Sequence, residues 1–128
     1  MSPWTDEQLD LIGDAEQLLV ASERSDGSLR PFTTVWVARV GDDLYVRSAY
    51  GPRNGWYRRA KTSGAGRIKS AGVIRDVRFV HMPEGDDDLH TALDAEFRRK
   101  YADHSPAIVA TVLGDDVRAT TLRLDATD

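Results

Sequence analysis

The chain has 128 residues, 41% hydrophobic and 30% charged, enough for a single domain over residues 1–128 and too apolar for wholesale disorder. It contains no cysteine, which excludes disulfides, thiolate metal sites and cysteine nucleophiles and fits a cytoplasmic location. The formal net charge is −4, no apolar run approaches the roughly 20 residues of a membrane span, and the N-terminal MSPWTDEQ lacks the basic-then-apolar pattern of a signal peptide.

The first element is a short helix. Thr5 is placed as its N-cap, with Gln8 at N3 completing a capping box and Trp4 and Leu9 at hydrophobic-staple spacing. Leu9, Leu11 and Ile12 are its expected buried side, and Gly13 its expected end. Gln17 to Ala21 then reads as a strand. Ser25-Asp26-Gly27-Ser28 is a turn signal that joins it to a long strand from Leu29 to Val40. On that strand Phe32, Thr34, Trp36, Ala38 and Val40 share one face, and Thr33, Val35, Val37 and Arg39 share the other. Both faces are largely apolar, which predicts a barrel strand that also meets a helix or a second subunit.

Gly41-Asp42-Asp43 turns the chain into a third strand, Leu44 to Ser48, which Gly51-Pro52 breaks. Asn54 is in position to cap a helix from Gly55 to about Thr62, ended by Gly64 and Gly66. Arg67 to Ser70 and Val73 to Val80 read as strands around Ala71-Gly72. The aspartates Asp86 to Asp88 head a helix to Tyr101, where they suit the positive end of its dipole. Leu89, Leu93, Phe97 and Tyr101 form its core stripe, and Asp94 with Arg98 and Glu96 with Lys100 are expected surface pairs. Ser105-Pro106 predicts a short helix over Ile108 to Leu113. Val117 to Leu124 reads as the last strand, before a tail expected to fray.

Eight of the seventeen basic residues lie between Arg53 and Arg78, with Asp76 the lone acid among them. This is a local anion site or a set of solvated faces; in a chain of net negative charge it argues weakly for nucleic acid. His81, His90 and His104 lack metal-ligand spacing. There is no nucleophile elbow, P-loop or GxGxxG. A reaction whose difficult chemistry belongs to a bound cofactor needs none of these.

One stretch concentrates chemistry. Arg47, Ser48, Tyr50, Arg53, Asn54, Trp56 and Tyr57 lie within eleven residues of one another. Arginine suits phosphate because its planar fork donates two hydrogen bonds at once, and Trp and Tyr offer flat faces for stacking. The geometry expected is a phosphate held by Arg47, the Ser48 backbone and Arg53, beside a ring system lined by Trp56 and Tyr57.

The motifs RPFTTVWVARVGDDLYVRS, GWYRRAK, GRIKSAGVIRDVRF and RATTLRL resemble the split-barrel flavin-binding superfamily, which includes pyridoxamine phosphate oxidase-like proteins and deazaflavin-dependent nitroreductases. Within it, the chain is most similar to the DUF2255 group. The resemblance implies an α+β fold: a split antiparallel β-barrel of about six strands with peripheral helices. It also implies a homodimer and an FMN or deazaflavin cofactor. The ring would lie along the strand at Thr33, Thr34, Val35 and Trp36, with Arg47, Ser48 and Arg53 on the phosphate. The lysine-bearing loop common in the FMN branch is replaced here by Tyr50-Gly51-Pro52-Arg53-Asn54. The function expected is a flavin- or deazaflavin-dependent oxidoreductase acting on a small organic molecule, the alternative being a cofactor-free binding or accessory protein. Neither a nucleic-acid nor a membrane partner is expected.

Overall fold

The structure is a computed structural model that describes residues 4–127. Met1–Pro3 and Asp128, the outermost parts of the N-terminal stretch and of the tail expected to fray, lie outside the described residues.

The N-terminal helix α1 (Asp6–Asp14) forms as its caps dictate. The Thr5 hydroxyl accepts from Gln8 N and the Gln8 side chain accepts from Thr5 N, so two otherwise unpaired N–H groups are satisfied. Leu9 and Ile12 are buried, whereas Leu11 is 42% exposed. Gly13 stays inside the helix, its bare Cα packed against the aliphatic part of Arg39. Trp4 closes one end of the barrel and donates from Nε1 to the Leu124 carbonyl.

The strands are β1 (Leu18–Ser22), β2 (Thr33–Val35), β3 (Val37–Val40), β4 (Asp43–Val46), β5 (Ala65–Ser70), β6 (Val73–His81) and β7 (Leu122–Ala126). They form one antiparallel sheet in the order β2-β1-β5-β6-β7-β4-β3. The two ends of that order, β2 and β3, are consecutive in the chain with only Trp36 between them, so the sheet curls into a nearly closed barrel split at this point. The expected Leu29–Val40 strand is therefore two strands, and the six expected strands become seven. The alternation survives the break. Val35 and Val37 fill the barrel with Leu18, Val20, Leu44, Val46, Ile68, Leu122 and Leu124. Trp36, Ala38 and Val40 point outward into a second cluster.

That cluster is built by α3 (Asp87–Lys100), whose Leu89, Leu93 and Phe97, with Tyr101 just past its end, lie over β3 and β4. Asp86 caps this helix at Leu89 N. The second apolar face of the long strand is thus covered by a helix of the same chain. The expected surface pairs on α3 do not form: Asp94 is buried and turned toward the barrel, Glu96 pairs with Arg99, and Lys100 Nζ donates to Val37 O at 2.7 Å.

Helix α2 (Gly55–Ser63) ends at Gly64, whose φ of 74° is the left-handed cap a side chain would resist. Gly66, expected to help end it, belongs to β5 instead. A Cβ there would sit 2.1 Å from the Ala21 carbonyl oxygen, so glycine is required for β1 to approach. The chain's last third is helical for longer than expected: α4 (Pro106–Val109) runs into a 3-10 turn at Ala110–Val112, and α5 (Asp115–Arg118) takes the start of the expected last strand. Val117, Thr120 and Thr121 read as strand by their branching. The two threonine hydroxyls bond back to Val117 O and Arg118 O, which holds the segment in a turn until Leu122.

Candidate functional site

A cleft of about 420 Å³ opens where the outer edge of β2 faces the start of α2 and the turn after α4. β2 pairs only with β1, so the backbone groups on its far side are not used by another strand among the described residues. Thr33, Thr34, Val35, Trp36, Arg47 and Trp56 all line this cleft. The fold brings together two parts of the expected site that are twenty residues apart in the chain, the β2 edge and the first turn of α2.

The two tryptophans differ. Trp36 stacks on Tyr101, ring centroids 3.9 Å apart and planes 5° from parallel, so one of its faces is already used. Trp56 is half-buried and meets Tyr57 edge-on at 6.2 Å. It leaves more ring for a ligand. Tyr57 itself is buried in the barrel core, its hydroxyl donating to Ala119 O, and it does not line the cleft.

The expected phosphate ligands are disposed otherwise. Arg47 is only 2% exposed, and four hydrogen bonds hold its guanidinium: Nε to Thr121 Oγ1, Nη1 to Asp94 Oδ1 and Val112 O, and Nη2 to His90 Nδ1. Asp94 also accepts from Arg118 at 2.6 Å. Burial pushes the Asp94 carboxyl up, but the hydrogen bonds from Arg47 and Arg118 outweigh it and hold the group below the usual carboxylate range. Burial likewise lowers Arg47, with Asp94 opposing. His90 Nε2 faces Pro83 O at 2.8 Å, which puts the ring proton there and leaves Nδ1 to accept from Arg47. Arg47 therefore lies at the floor of the cleft with its charge turned inward to α3.

Ser48 is fully buried. Its backbone N–H, expected to serve an anion, donates to Thr120 Oγ1, and its hydroxyl donates to Gly51 O. The Asn54 side chain does not cap α2; Nδ2 donates to Ser48 Oγ and Ala49 O, pinning the loop. Arg53 is exposed on that loop and does not line the cleft.

Ile108, Thr111 and Val112 form a wall that no local pattern could place, because they lie more than fifty residues from Trp56. Tyr50 sits at the mouth, 85% exposed, with a φ of 68° and its N–H donating to Thr111 O at 3.0 Å. A non-glycine residue in that region costs of order 1 kcal/mol. Among the lining residues there is no carboxylate, histidine or lysine, so proton chemistry in the cleft rests on Tyr50 and threonine hydroxyls. No group of three or more potential metal ligands occurs among the described residues.

Over residues 8–124 the chain matches the family described as an uncharacterized protein conserved in bacteria, DUF2255. The chain belongs to that family. No curated protein sequence matches it. Among solved structures, the heme storage protein HutZ of Vibrio cholerae superposes with a TM-score of 0.65 at 11% identity, covering 95% of this chain and 89% of that one. A candidate 5-nitroimidazole antibiotic resistance protein of Bacteroides thetaiotaomicron gives 0.62 at 13% identity, covering 100% and 83%. An F420 reductase gives 0.52 at 16% identity, covering 98% and 97%. At these identities the likeness shows the fold: this DUF2255 protein is a split barrel. No helix among the described residues is long and apolar enough to cross a membrane.

Proposed function

We propose that this DUF2255 protein binds a flavin or deazaflavin in the β2–α2 cleft and acts as an oxidoreductase on a small organic molecule. The observation that carries this is the pairing of a free strand edge, Thr33 to Val35, with the half-buried ring of Trp56 across one cleft. A planar heterocycle rich in hydrogen-bonding edges fits between them: β2 would bond its edge and Trp56 its face. When bound, such a cofactor supplies hydride transfer. The chain's own part is to hold the ring, exclude water with Ile108 and Val112, and offer the hydroxyls of Tyr50, Thr33 and Thr111 to the substrate. Structural neighbours described as an F420 reductase and a heme storage protein support a small-molecule role without choosing the ligand.

A homodimer is part of this proposal. Its earlier motive, a bare second face on the long strand, is removed by α3. The remaining one is the cleft mouth, where Tyr50 and Ile108 are 85% and 48% exposed and a second protomer would cover them. The second reading, a cofactor-free binding protein, is favoured by the lack of any carboxylate, histidine or lysine in the lining.

The test is titration of the purified protein with FMN and with the deazaflavin cofactor, followed by absorption and by tryptophan fluorescence. Saturable binding with a shifted band is expected, and Trp56→Ala should weaken it about tenfold, a stacking contribution near 1.4 kcal/mol. If neither cofactor binds at high micromolar concentration, the oxidoreductase reading fails and the binding-protein reading replaces it.

A further inference from the structure

A second and larger cleft, about 710 Å³, lies on the other side of Trp56, between α2 and the turn joining β1 to β2. Arg24, Arg30, Arg58 and Arg59 line it, with Glu23 the one carboxylate. Arg24 is partly engaged, donating to Ser28 Oγ and Leu29 O. The guanidinium groups of Arg30, Arg58 and Arg59 have no hydrogen bond or ion pair among the described residues; Arg58 and Arg59 are exposed on α2, whereas Arg30 is half-buried, in a chain whose other half-buried arginines are paired. Gly55 contributes to the same wall: Arg59 folds back over it, and a Cβ there would stand 2.7 Å from Arg59 Nη1. Arg30 and Arg59 also line, with Thr33 and Trp56, a void of only about 10 Å³ that lies between residues of this cleft and of the β2–α2 cleft.

We infer that the arginine-lined cleft is an anion site for a phosphate or diphosphate group. Three forks without a partner among the described residues line one concavity against a single carboxylate, which places strong donors where a multiply charged oxyanion can take several bidentate bonds. The concave shape and acidic remainder of the chain favour a small polyanion over a nucleic-acid backbone, which needs an extended basic track. This places the charged end of the ligand at Arg30 and Arg59 and not at Arg47, Ser48 and Arg53. It rests on and deepens the proposed function, since Trp56 and Arg59 both line that void and a ligand spanning the two clefts would part them to carry a ring at Trp56 and an anion at Arg59, yet the anion site stands on its own geometry.

The experiment is calorimetric titration of the full chain with inorganic pyrophosphate, and separately of riboflavin, which has the ring without the phosphate. One-to-one pyrophosphate binding is expected, weakened about tenfold or more by Arg30→Ala/Arg59→Ala and by less than about twofold by Arg53→Ala. If the double variant folds poorly, Arg58→Ala/Arg59→Ala on the exposed face of α2 replaces it and should weaken binding by a similar factor. Riboflavin binding should be unchanged in either variant. Absence of pyrophosphate binding, loss in Arg53→Ala with none in the double variants, or tighter, steeply salt-dependent binding of an oligonucleotide would each overturn the inference. Pyrophosphate binding without riboflavin binding would keep this site and remove the flavin reading; the reverse would keep the flavin reading and remove this site.

Discussion

Two groups of arginines in this barrel occupy opposite physical situations. Under α3, Arg47 is out of solvent and bonded to Asp94, His90, Thr121 and the Val112 carbonyl, with Arg118 completing the pair on Asp94. Beside α2, Arg30, Arg58 and Arg59 hold their guanidinium groups at a cleft with no partner among the described residues. The first group fixes how a helix sits on a sheet; the second is available to something else. A guanidinium near a cleft in sequence is a candidate ligand only if its donors are unused, and here proximity to the loop at Gly51-Pro52 pointed to the engaged arginine.

The sharpest way to break this contrast is Arg47→Met. It removes one partner of a buried pair and should destabilise by about 3–5 kcal/mol in urea denaturation. A loss under about 1 kcal/mol would mean that the α3 seam does not depend on this charge.

Asp94→Asn sharpens the same side through pH. The folded-state carboxyl is held below its ordinary value, so its contribution is present above the unfolded pKa and is lost as pH falls through the folded one. The variant should be clearly less stable than wild type at neutral pH, and the gap should narrow below about pH 4. A gap independent of pH would contradict the ionised pair.

Lys100, the last residue of α3, tests a third cation with the opposite sign. Burial pushes it down to about 8, so between there and the unfolded value near 10.4 the unfolded chain binds more protons and stability should rise with pH. Tyr101, raised from its ordinary value of 10.0 to about 12 by burial, opposes this only as pH nears 10, where its unfolded hydroxyl ionises, so the rise is read between about pH 8 and 9.5. Lys100→Met should abolish the rise; a rise that persists would assign it elsewhere.

The smallest effect belongs to the open group. Arg58→Ala should change stability by no more than about 0.5 kcal/mol, as for an exposed side chain without partners. A loss above about 1 kcal/mol would show that this arginine serves the fold too.

The division between what the sequence displays and what it hides follows the same line. The capping box at Thr5 and Gln8 and the four-residue stripe of α3 are local patterns and fixed their elements, whereas the alternation along Thr33 to Val40 set the faces but not the continuity of the strand. The break at Trp36 has no local signal, because tryptophan is a good strand residue; it is imposed by closure of the barrel. Asp94 was misplaced for a related reason. Its i,i+4 spacing to Arg98 is a surface pattern, while its true partners lie 47 residues before it and 24 after. One sign was present: His90, Asp94 and Phe97 share a helical face, which sets two polar groups within a buried stripe. At the cleft, Trp56 was legible from helix-start chemistry and Thr33 to Trp36 only through the family resemblance, whereas the wall from Ile108 to Val112 depends on where a distant helix docks.

The most direct measurement is a crystal structure of the protein with FMN. The phosphate should lie within hydrogen-bond distance of Arg30 and Arg59, the ring between β2 and Trp56, and Arg47 should still be bonded to Asp94. A phosphate seated on Arg53, with Arg47 swung away from Asp94 to meet it, would contradict the division between the two groups of arginines.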